Sequence, residues 1–226
     1  MGQAISDILP LAIGVMISPI PIIAVILMLF SPRAKVNGPS FLLGWVVGLG
    51  AVCAIVYAVA TGLDTSSDPD ASDGSSTLLV FLGIVLILMA RRHWKARPKA
   101  GEEAPMPKWM AAIDNVTPVK AVGLGLLLSA VNPKNLLLAV GAAAAVGQLA
   151  GLSTTDAVVA LAVFVIIGSL SVAIPVLAYL VAGDRMRPKL DAWKVWLERN
   201  NATVMAVLLL VIGVVVLSKG LGPITT

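Results

Sequence analysis

Six long apolar runs decide what this chain can fold into. They cover roughly residues 7–30, 39–62, 77–93, 119–147, 155–182 and 202–222. A run of about 20 apolar residues matches the thickness of a bilayer's hydrocarbon core when it is helical. Backbone polar groups in lipid must find partners within their own segment or a closed sheet, and these runs are too long for barrel strands. The expected fold is therefore an all-α integral membrane bundle of six transmembrane helices. With 58% hydrophobic and 12% charged residues and a mean hydropathy of +0.97, little chain remains for anything else. The single membrane domain covers 1–226.

The basic residues give an orientation. Fourteen of the 16 Lys and Arg fall in the segments after helices 1, 3 and 5, from Arg33 and Lys35 through Arg91–Lys120 to Arg185–Arg199. The segment after helix 2 carries Asp64, Asp68, Asp70 and Asp73 and no base. The positive-inside rule then makes loops 1, 3 and 5 cytoplasmic and both termini extracytoplasmic, in a multi-pass plasma-membrane protein. The net charge of +4 is an orientation signal and not a nucleic-acid footprint. The acidic loop lacks the Gly and terminal Glu of a calcium loop, so it reads as a solvated external segment. Cys53 reads as a small core residue, and His93 as an interfacial one.

Two polar islands interrupt the apolar runs. Ser18-Pro19-Ile20-Pro21 lies in the first and Asn132-Pro133-Lys134-Asn135 in the fourth, 114 residues apart. Ser and Asn are preferred N-caps, and Pro favours the first helical position. Each island thus spells a helix that begins inside the membrane. The offset is about half the chain and leaves three helices per half. The expected plan is two inverted three-helix repeats with broken first and fourth helices, over 1–93 and 119–226, joined by a basic cytoplasmic linker over 94–118. Trp109, Met110 and Ile113 suggest a surface helix in the linker, and Leu190–Leu197 a second one before helix 6.

Function follows from Lys134. An ammonium at mid-bilayer costs about 2.5–3.5 kcal/mol on insertion scales. It is too deep to reach water at either face, and the apolar spans offer no acid near it. Two helix starts approaching from opposite leaflets, each with free N–H groups and a positive dipole end, would add to its field. The expected site is an electropositive pocket of Ser18, Pro19, Pro21, Asn132, Pro133, Lys134 and Asn135 that holds a sulfate, phosphate or carboxylate. A buried lysine could instead lose its proton and serve as a coupling base. Pro19 and Pro21 also fit a simple kink, and Asn132 and Asn135 fit interhelical hydrogen bonding. The intramembrane glycines fit close helix packing, and Pro175 a kink. No His, Asp or Glu cluster lies at depth, so no catalytic residue, metal or cofactor is expected.

The islands and their surroundings resemble a known family. Ile17-Ser18-Pro19-Ile20-Pro21 followed by Phe30-Ser31-Pro32-Arg33-Ala34, and Pro107-Lys108-Trp109-Met110 followed by Asn132-Pro133-Lys134-Asn135-Leu136, are similar to the mycobacterial lipid-addressing proteins. That family includes the glycopeptidolipid- and sulfolipid-addressing proteins, within the lysine-exporter superfamily. The resemblance implies export or surface delivery of a glycolipid in an actinobacterial cell envelope. Expected partners are a lipid or glycolipid substrate, the membrane, a lipid-export machinery and a second copy of the chain, with no nucleic acid. A small-solute exporter of amino-acid type and an accessory scaffold of a lipid-export complex stand as alternatives.

Overall fold

A computed structural model describes residues 1–63, 71–97 and 116–222. Among them there are eight α-helices and no strand: α1 (Gly2–Met16), α2 (Pro19–Phe30), α3 (Ala34–Leu63), α4 (Ala71–Lys95), α5 (Pro118–Ala130), α6 (Pro133–Gly147), α7 (Thr154–Ala182) and α8 (Arg187–Leu221). Both polar islands are breaks. The axis bends by 51° between α1 and α2 and by 63° between α5 and α6. Two stretches are long and apolar enough to cross a membrane, Ala34–Gly62 and Thr154–Leu221, and four if each bent pair is one span.

Local chemistry sets the helix ends. Thr117 and Ser153 accept N-cap bonds from the amides of Lys120 and Asp156, with Pro118 at the first position of α5. Pro175 lies inside α7 without ending it. The expected surface helix at Leu190–Leu197 is not separate. It is the first part of α8, whose 35 residues run unbroken to Leu221, because nothing between Leu190 and Val204 breaks a helix. Asp7 lies in the second turn of α1 and pairs with Lys219 at 2.6 Å. Residues 64–70 of the acidic loop and the linker residues Trp109, Met110 and Ile113 lie outside the described residues, while Asp73, expected in that loop, belongs to α4.

The helices interleave. α1 packs on α6 and α7, α3 on α5, α6 and α7, α4 on α8, and α2 on α3, α7 and α8. Small residues permit the closest approaches, as expected where lipid removes the hydrophobic drive for helix association. A Cβ on Gly44 would collide with the carbonyl of Val122, and one on Gly125 with that of Phe41. These two glycines seat α3 against α5 almost backbone to backbone. Most buried apolar residues form one core, from Ala4 and Ile8 through Trp45 and Phe164 to Val216. A smaller cluster of Ile26, Leu29, Ala34, Tyr179 and Leu190 joins α2, α7 and α8. Cys53 is buried in the main core.

Candidate functional site

The end of α1 creates an unmet demand for donors. Ile17 (φ −83°, ψ 74°) and Ser18 (φ −126°, ψ 96°) leave the helical region. In a continuous helix the Ser18 amide would serve the carbonyl of Gly14, but it donates to Met16 instead at 3.0 Å. The amide that would serve Ile17 belongs to Pro21, which has no N–H. Pro19 likewise deprives Val15. The last turn of α1 thus carries carbonyls without main-chain partners at the negative end of its dipole.

The start of α6 meets that demand. Asn132 caps the helix by accepting from the Lys134 amide at 3.1 Å, and its carbonyl takes the Leu136 amide at 2.9 Å. Pro133 at the first position orphans no further N–H. The next residue sends its side chain inward. Lys134 Nζ donates to the carbonyl of Gly14 at 2.8 Å and to that of Ile17 at 2.9 Å. Lys134 is 1% exposed, and no carboxylate is among its described partners. A cation at a helix C-terminus is favourable, more so out of water. Asn135 does the same locally, donating from Nδ2 to the carbonyl of Leu128 in the last turn of α5 at 3.0 Å.

The expected residues are therefore arranged differently from an open anion pocket. Ser18, Pro19, Pro21, Lys134 and Asn135 are buried, Asn132 is half-buried and Pro133 is exposed. Ser18 makes no side-chain cap bond. The first turn of α2 offers few free N–H groups, because Pro19 and Pro21 have none. At α6 the Lys134 amide is already taken. The basic group of the junction is the Lys134 side-chain nitrogen, and main-chain carbonyls accept from it. Gly14 and Ile17 escape sequence reasoning as site residues, although prolines at 19 and 21 mark the deprived carbonyls upstream.

Two cavities flank α1. The larger, about 670 Å³, is an open groove walled by Leu9 and Ile13 of α1, by Ile17 just past its end, and by Val204, Val207 and Val211 of α8. It reaches Ile17, whose carbonyl Lys134 holds, but Lys134 does not line it. The smaller, about 330 Å³, has Asp7, Gln148 and Lys219 among apolar walls from α1, α4, α6 and α8. Among the described residues, no group of three or more His, Cys, Asp and Glu could hold a metal ion.

Comparison with known families gives a match over nearly the whole described chain. The model described as Sap, sulfolipid-1-addressing protein, matches residues 8–222. No curated protein and no solved structure matches the chain.

Proposed function

The chain belongs to the sulfolipid-1-addressing protein family, and we propose that it moves an anionic lipid or glycolipid across, or presents it at the far face of, the plasma membrane. The observation that carries this reading is the state of Lys134. An ammonium buried beside main-chain carbonyls, with no carboxylate partner described, can exchange those neutral partners for a sulfate, phosphate or carboxylate headgroup. An anion gives it a stronger, charge-assisted bond. Breaking the carbonyl bonds would free the end of α1, so headgroup binding is coupled to the α1–α2 hinge. The open apolar groove that reaches Ile17 gives the acyl chains a place beside that headgroup. No step in this cycle requires catalysis.

Several features support six spans in two inverted repeats. Each bent pair counts as one span, and α3, α4, α7 and α8 supply the others. The breaks are in register at the 114-residue offset: Met16 and Ala130 end their helices, and Pro19 and Pro133 start the next. Exchanging α1–α4 with α5–α8 maps most helix pairings onto one another, α1·α7 onto α3·α5 and α2·α7 onto α3·α6. Three spans per repeat then invert the second, and the basic loops face the cytoplasm.

The test is surface lipid in cells whose only copy carries Lys134→Ala or Lys134→Arg, scaled to the protein found in the membrane. The alanine variant is expected to abolish surface appearance of the lipid and the arginine variant to keep part of it. Full export by the alanine variant would remove Lys134 from the mechanism. An accessory scaffold is the second reading. It draws on Trp193 and Trp196, which stand exposed on α8 beside Lys189 and Arg199, and co-purification of a lipid pump would favour it.

A further inference from the structure

The two cavities beside α1 share Pro10 and Val215 as a common wall. Together they follow α8 from one end of its apolar part to the other. The groove begins at Trp196, Asn200 and Thr203, and the smaller chamber ends at Lys219. From Trp196 to Lys219 a helix rises roughly 35 Å, against about 30 Å for a hydrocarbon core. Between these ends the walls are aliphatic. Polar side chains appear only at the two extremes, Asn200 and Thr203 at one and Asp7, Gln148 and Lys219 at the other. The seam is also a weak one, since α1 leans mainly on α6 and α7 and α8 mainly on α4. The Lys219–Asp7 ion pair closes its outer end.

We propose that the α1–α8 seam is a lipid track: an acyl chain lies in the groove, and Lys219 receives the anionic headgroup in the outer chamber after Asp7 swings away. The chemistry selects this occupant. The groove is open along its side and lined by Val and Ile, which suits a flexible hydrocarbon and not a polar solute. Lys219 is half-exposed and already holds one carboxylate, so a sulfate, phosphate or carboxylate on a lipid can take the same place. Asp7 then serves as a latch, because its charge repels the headgroup until their shared lysine changes partner. The identity of the occupant rests on the lipid-carrier reading above. The position of the track does not, since it is read on purified protein without transport.

The experiment is photolabelling of the full chain in nanodiscs with phosphatidylglycerol carrying a diazirine in one acyl chain, followed by peptide mapping. Phosphatidylcholine with the same chain is the neutral comparison. Labels are expected to concentrate on Ile13, Ile17, Val207 and Val211. Even labelling of Leu43, Ile55 and Ile166, which face outward elsewhere, would mean annular lipid only and overturn the track. Val207→Trp and Ile13→Trp, one from each wall, should cut groove labelling about tenfold, the scale of a lost contact of 1.4 kcal/mol. Leu210→Trp and Val214→Trp, equally exposed but off the groove, should not. Lys219→Gln should remove the preference for phosphatidylglycerol over phosphatidylcholine, and Asp7→Asn should raise it. A preference unmoved by both would overturn the headgroup station. Groove labelling that persists while Lys134→Ala exports normally would reject the midplane reading and leave the track standing.

Discussion

Lys134 Nζ bonds the carbonyl of Gly14, 120 residues earlier in the chain, at 2.8 Å. One side chain thereby fastens the start of α6 to the end of α1. Lys134→Met keeps the aliphatic stem and removes the donors, leaving the carbonyls of Gly14 and Ile17 buried without partners. Each such group costs about 1–3 kcal/mol. Part of that loss is offset by no longer burying an ammonium. The expected net result is a lower unfolding midpoint in detergent. An unchanged midpoint would mean that these bonds contribute nothing to the fold.

Ser18 and Asn132 occupy matching places but should respond differently. Asn132 accepts the Lys134 amide, while Ser18 makes no side-chain cap bond. Asn132→Ala should therefore cost about 1 kcal/mol, the usual worth of an N-cap, and Ser18→Ala clearly less. Equal losses in chemical unfolding would contradict this assignment.

The glycines divide into two classes that alanine can separate. Gly44→Ala and Gly125→Ala each push a methyl into facing backbone and should destabilise by about 1–3 kcal/mol. Gly50 and Gly123 have nothing within 4 Å of an added Cβ. Alanine there should be neutral, or stabilise by up to about 1 kcal/mol through helix propensity. Thermal unfolding of the four variants side by side reads the difference.

The Asp7–Lys219 pair is partly exposed, with side chains 32% and 38% accessible. Removing either charge should change stability by about 0–1 kcal/mol. The exchanged pair, Asp7→Lys with Lys219→Asp, should regain any loss. A drop much larger than this on single substitution would mean that the pair holds α1 to α8 structurally.

Sequence reasoning locates the breaks because proline and a capping residue act locally. Pro19 and Pro133 begin their helices where expected, and Thr117 and Ser153 are ordinary caps. It identifies Lys134 as the anomalous charge because burial of an ammonium is costly in any fold. It misses the partners of that charge, which are main-chain carbonyls from a helix 120 residues away. A carbonyl carries no side-chain signature, and only the missing amides of Pro19 and Pro21 point to it. The α1–α8 groove is hidden for a related reason. Val207 and Val211 look like any lipid-facing valines until the tertiary arrangement sets Ile13 and Ile17 opposite. The unbroken α8 is missed because its basic, Trp-bearing start and its apolar remainder differ in composition while sharing one backbone.

α4 and α8 meet through glycine on both sides. A Cβ on Gly83 would lie 2.7 Å from the backbone of Leu217, and one on Gly213 would lie 2.8 Å from Ile87. Each helix is thus the mortise for the other, across more than a hundred residues of chain. α4 precedes its counterpart by more than a hundred residues, so during synthesis it is made with that socket empty. The first four helices are in this sense an unfinished object, and the α4–α8 joint closes only when α8 arrives.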